Sequence, residues 1–148
     1  MSEPKHTGEV IKGILAPMKT TPAIITKLEP NQIFVFGSNL AGRHGAGAAL
    51  TAMNKFGAEY RTGVGRTGQC YAIPTKDWHL RILRLDSIGK HIDNFLAYAY
   101  DHPELEFLVT KIGCGLAGYT IQDISALFRG KYITDNVVLP IEFQESPK

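Results

Sequence analysis

The chain has 148 residues, 44% apolar and 20% charged, and sixteen Lys and Arg against fourteen Asp and Glu give a formal charge of +2. That length fits one domain with its own core, and that composition excludes a wholly disordered chain. The near-balance of charge supplies no strong field for nucleic acid or a membrane surface, and no apolar run approaches the roughly 20 residues that span a bilayer. Two cysteines, Cys70 and Cys114, build neither a disulfide framework nor a four-ligand zinc site, so a reducing, cytoplasmic setting is expected. The opening Met1-Ser2-Glu3-Pro4-Lys5-His6 lacks the apolar core of a secretory signal.

In chain order, residues 1–22 carry Pro4, Pro17 and Pro22 and read as an arm; residues 23–148 read as the α/β domain. Ile24, Ile25 and Leu28 are expected to form a short edge strand. After the Pro30-Asn31 turn, Ile33-Phe34-Val35-Phe36 is a buried strand ending at Gly37. Ala46, Ala49, Leu50, Met53 and Phe56 repeat at helical steps, and Gly57 stops them. Residues 62–68 form a glycine-rich loop, and Cys70 to Ile73 a short strand closed by Pro74. A helix is expected from Asp86, as N-cap, to about Tyr100, with Pro103 ending it. Phe107-Leu108-Val109 is a further buried strand. Thr120-Ile121-Gln122-Asp123 has the capping-box pattern before an apolar face of Ile121, Ile124, Leu127 and Phe128, and Gly130 ends that helix. Val137 to Leu139 is a last strand, and Gln144–Lys148 a frayed tail. Alternating strands and helices imply an α/β fold with a largely parallel sheet.

In such sheets ligands sit outside the C-terminal ends of strands. Two strands here run into glycine-rich loops, at Gly37 and Gly113, and both loops lead into helices. Bare backbone N–H groups and helix N-termini in that arrangement hold phosphate. Neither standard nucleotide motif is present. The 45–49 run has Leu50 where a dinucleotide fingerprint needs a small residue, and Gln69 stands where a P-loop needs lysine. Cys114, in a glycine loop before a helix, is placed where a thiol pKa falls. His6, His44, His79, His91 and His102 have no metal spacing.

The segments 36–49, Lys55-Phe56-Gly57, Thr75-Lys76 and Ile112-Gly113-Cys114-Gly115-Leu116 together resemble a macro domain. The similarity is to the subfamily of terminal ADP-ribose protein glycohydrolases and ADP-ribose-1″-phosphate phosphatases, over roughly residues 23–141. The resemblance implies a three-layer α/β/α fold with a mixed, mostly parallel sheet, and ADP-ribose or an ADP-ribosylated macromolecule as partner, with no cofactor. It puts Asn39, His44, Gly45, Ala46, Gly47 and Ala48 at the distal ribose, with Gly37 and Ser38 also among the ligand-binding residues. It puts Gly113, Cys114, Gly115, Leu116, Ala117, Gly118 and Tyr119 around the diphosphate. Lys76 falls on the glycohydrolase's catalytic amine, which attacks the anomeric carbon of an opened ribose. His44 is the other candidate for chemistry, because imidazole titrates near neutrality.

Two departures bear on activity. Ala117 stands where the family has its catalytic Asp, removing a proton-transfer group worth roughly 10²–10⁴-fold. The 23–28 stretch has no carboxylate for the adenine amino group, and Glu29 is the nearest stand-in. Binding of ADP-ribose or a related nucleotide diphosphate sugar is therefore the leading expectation. An ADP-ribosyl hydrolase using Lys76 or His44, and a ligand-free protein-interaction domain, are the alternatives. Asp77 and Asp123 are further candidate acids; Arg43 and Arg66 are candidate phosphate contacts. Tyr71, Trp78 and Tyr119 are candidates for stacking on a base or ribose.

Overall fold

A computed structural model describes Val10–Ile11, Ile14–Leu15 and residues 19–144. Within the expected arm, β1 (Val10–Ile11) and β2 (Ile14–Leu15) form a small antiparallel pair. The expected frayed tail lies outside the described residues from 145 onward.

The fold is mixed α/β with one five-stranded sheet, mostly parallel. It contains β3 (Gln32–Asn39), β4 (Gly65–Thr67), β5 (Cys70–Lys76), β6 (Glu106–Val109) and β7 (Val137–Val138) in the order β4-β5-β3-β6-β7. β3 is central and pairs parallel with both β5 and β6; β7 extends β6 in parallel, and β4 runs antiparallel to β5. The helices are α1 (Gly47–Phe56), α2 (Leu85–Asp101), α3 (Ile121–Ser125) and α4 (Ile141–Gln144). No described helix is long and apolar enough to cross a membrane.

A continuous apolar run makes β3 the centre because both of its faces are covered. Ile33 and Val35 join Ile73, Phe107 and Val109 against Ile88, Ile92 and Phe95 of α2. Phe34 and Phe36, alternating to the other face, join Cys70 and Ala72 against Ala49, Ala52 and Phe56 of α1. Gly57 closes α1 with φ +86°, the left-handed turn a helix C-terminus favours.

Several expectations are corrected. Ile24 to Leu28 form no strand; Ile25 and Leu28 pack against the α1-side core, while Ile24 is exposed. The 62–68 loop contains β4, a three-residue strand. β5 does not stop at Pro74. Pro74 lies between the β4 pairing, which ends at Ala72, and the Lys76–Ile82 bridge, where the outer flank of β5 needs no donor. α2 begins at Leu85, with Arg84 in the capping position and no side-chain cap. Asp86 sits in the first turn, where Arg84 Nε reaches its carboxylate at 3.3 Å. α4 was not anticipated.

The expected capping box is present: Asp123 N–H donates to Thr120 Oγ1 at 3.0 Å, and Thr120 N–H to Asp123 Oδ2 at 3.1 Å. Asp123 is thereby committed to the start of α3. Replacing Thr120 by Ala is expected to lower stability by about 0.5–2 kcal/mol, read from chemical denaturation. Asp86→Ala leaves the midpoint nearly unchanged, and the reverse ranking would overturn these two assignments.

Candidate functional site

Because β3 and β6 are parallel neighbours, their C-terminal ends open on the same side. The loops that follow meet there: a Cβ added to Gly37 would lie 3.4 Å from Gly113 N. Between them is a cleft of about 610 Å³. Gly37, Ser38, Asn39, Gly45, Ala46, Gly47, Ala48, Gly113, Gly115, Leu116 and Ala117 line it, as does Lys76 at the end of β5.

The backbone of both loops is available to a ligand. Gly47, Ala48 and Ala49 open α1, so their N–H groups have no intrahelical acceptor, and Ala46 provides no side-chain cap. Among the described residues no hydrogen bond occupies the N–H of Gly115, Leu116 or Ala117. Their neighbours hold the loop instead. Cys114 N–H donates to Lys111 O at 3.2 Å, Gly118 N–H to Gly115 O at 3.0 Å, and Tyr119 N–H to Gly113 O at 2.9 Å.

The electrostatics are one-sided. Arg43, Lys76 and Lys111 line the cleft, and among the described lining residues there is no Asp, Glu, His or Cys. Lys76 makes no ion pair among the described residues. The next residue, Asp77, accepts from the N–H groups of His79 at 2.8 Å and Arg81 at 2.9 Å. These bonds, that to Arg81 foremost, hold its carboxyl below the usual range and close the turn after β5.

The polar side chains at the end of β3 shape the loop. Asn39 Oδ1 accepts from Arg43 N–H at 2.9 Å, and its Nδ2 donates to Arg43 O at 3.0 Å. One amide proton of Asn39 is left for a ligand. Ser38 Oγ donates to Gly63 O at 2.5 Å. Gly63 is obligatory here: an added Cβ would stand 1.9 Å from Asn39 O.

His44 is corrected from its expected place. Its ring is fully buried and does not line the cleft. Nε2 lies 3.0 Å from Glu59 O and 3.1 Å from Thr62 O, which puts the ring hydrogen on Nε2. Nδ1 has no partner among the described residues, and the ring meets Phe36 edge-on with centroids 5.3 Å apart. His44 therefore ties the 59–62 segment to the core.

Cys114, Gly118 and Tyr119 also do not line the cleft. Cys114 and Tyr119 line a neighbouring, mostly apolar lobe of about 830 Å³, which also includes Ile25, Phe34 and Ile121. The two lobes share Ala48, Thr110, Lys111 and Gly115, and Lys111 Nζ stands 3.6 Å from Glu142 at the apolar one. The expected acidic thiol is reversed: burial, with help from Asp123 and Glu142, pushes the Cys114 pKa up against the pull of Lys111. Tyr119 Oη donates to Leu83 O, Tyr71 is in the core, and Trp78 and Arg66 are exposed away from both lobes.

Thr110, Lys111, Tyr60 and Leu80 line the cleft without having been singled out. Lys111 had a readable signal, a cation just past a buried strand. Tyr60 and Leu80 arrive from distant loops and carry none. Among the described residues no three His, Cys, Asp or Glu side chains group to hold a metal ion.

His44→Ala is expected to reduce stability by about 2–4 kcal/mol, as large-to-small core changes do. A variant with wild-type melting would contradict the buried role. Cys114 is expected to alkylate with iodoacetamide more slowly than a free thiol at neutral pH, speeding up only above the ordinary thiol range. Cys70, its thiol pushed up to about 12 by burial, stays silent. A fast-reacting Cys114 at neutral pH would contradict the assignment.

Comparison with family models, curated proteins and solved structures returned no match for this chain, so the reading of the site rests on its own geometry.

Proposed function

We propose that the chain is a macro-domain-like module that binds ADP-ribose, or a related nucleotide diphosphate sugar, free or attached to a macromolecule. One observation carries this reading. Unoccupied backbone N–H groups from two loops converge on a cleft lined by three cations and no carboxylate. A diphosphate matches that surface, since hydrogen bonds to a charged acceptor contribute about 1.5–3 kcal/mol each. The adjoining apolar lobe offers the base a site continuous with the cleft. On this reading the sheet, with α1 on one face and α2 and α3 on the other, is the three-layer α/β/α arrangement of a macro domain.

A second reading rests on the position of Lys76. With no ion pair among the described residues, unlike Lys111, and a place in the cleft wall, its amine is suited to attack an opened ribose, provided it is deprotonated. Ala117 in the wall leaves that reaction without the family's proton-transfer carboxylate, which favours binding over turnover.

Calorimetric titration with ADP-ribose tests the proposal; no heat at millimolar ligand would end it. Gly115→Val is the sharper probe. No atom lies within 4 Å of a Cβ added there, and the residue is outside the left-handed region. The variant is expected to melt like the wild type while losing affinity about tenfold or more, or ~1.4 kcal/mol. Parallel losses of melting temperature and affinity would count against the cradle. Incubation with ADP-ribosylated protein and with ADP-ribose-1″-phosphate separates the readings: turnover abolished in Lys76→Ala supports the amine, and its absence in the wild type leaves binding alone.

A further inference from the structure

A second concavity shares no residue with the cleft. The outer face of α2 carries Asp93, Ala97, Tyr100 and Asp101, and Lys131 and Tyr132 stand beside them around about 500 Å³. Tyr100 and Tyr132 are 61% and 77% exposed, their ring centroids 6.1 Å apart at an interplanar angle of 64°. The solvent-exposed face of a tyrosine ring attracts cations.

The charges are unevenly answered. Lys131 Nζ pairs with Asp93 Oδ1 at 2.5 Å. Asp101 has no ion pair or side-chain hydrogen bond among the described residues. It is the last residue of the 17-residue α2, which has no basic side chain in its last turn. A carboxylate at a helix C-terminus adds to the negative end of the helix dipole instead of offsetting it. Two features at this surface therefore call for positive charge: the Asp101 carboxylate, unpaired among the described residues at the negative end of α2, and the exposed tyrosine rings beside it.

We infer that this concavity is a binding site for a guanidinium group, presented as an arginine side chain on a partner polypeptide. Guanidinium is flat and weakly hydrated, so it stacks on a tyrosine ring while its forked N–H groups reach a carboxylate. An ammonium is a compact, strongly hydrated point charge and fits the paired rings less well. The site is independent of whatever occupies the glycine-loop cleft.

The test uses the full chain, labelled at its tyrosine rings, and two short glycine-flanked peptides that differ only in carrying arginine or lysine. The arginine peptide is expected to shift the Tyr100 and Tyr132 ring resonances saturably at millimolar concentration, and more tightly than the lysine peptide. Tyr132→Ala is expected to weaken the interaction about two- to fivefold, Asp101→Asn by a similar factor, and Tyr132→Phe hardly at all. Both residues are exposed, and unchanged amide resonances in the core verify that each variant is folded. Absence of saturable shifts, equal affinity for the lysine peptide, or binding that survives both Tyr132→Ala and Asp101→Asn would each overturn the inference.

Discussion

The cleft depends on main chain meeting main chain where β3 runs out. Gly37 comes against the backbone of the 112–113 turn, and Gly63 comes against Asn39 closely enough that no side chain fits. The first contact brings the loop after β3 beside the loop after β6, and the second seats the segment before β4 on the end of β3. They are possible because β3 is the central parallel strand, with pairing on both sides and helices on both faces. A bulkier residue at position 63 would push the segment before β4 away from the end of β3, where Asn39 lines the cleft.

What gathers around that junction is selected by what is missing as much as by what is present. Carboxylates nearby are engaged elsewhere: Asp77 in the turn after β5, Asp123 in the cap of α3, Glu142 beside Lys111. His44 is locked inside, and both thiols are pushed towards their neutral forms by burial. The cleft wall is left with cations, small side chains and open N–H groups. Such a wall stabilises negative charge brought by a ligand and has little with which to move protons.

The sequence was informative wherever a local pattern had a single physical cause. The apolar run 33–36 could only be a two-face-buried strand, the 46–56 periodicity with Gly57 a helix, and Thr120 with Asp123 a cap. The two glycine loops were recognisable because three glycines between a strand and a helix are costly to order. Contacts between distant segments were not recognisable. The burial of His44 is not readable locally because its acceptors, the carbonyls of Glu59 and Thr62, lie fifteen and eighteen residues away. Cys114 looked acidified because the burial that raises its pKa is tertiary. Pro74 looked like a strand end because the 81–83 segment that takes over the flank of β5 cannot be foreseen from Pro74 and its neighbours.

That same flank protects the molecule from its own kind. A bare sheet margin is a template on which another chain can add a strand. Here β4 covers β5 up to Ala72 and the Ile82 bridge resumes at Lys76, while Pro74 between them brings no N–H. At the opposite margin Thr21 bonds to the carbonyls of Val138 and Leu139, filling acceptors beside the two-residue β7. With the flank of β5 taken up and the acceptors beside β7 filled, the margins left to a second copy of this sheet are the three-residue β4 and the two-residue β7, templates too short for edge-to-edge stacking into fibrils.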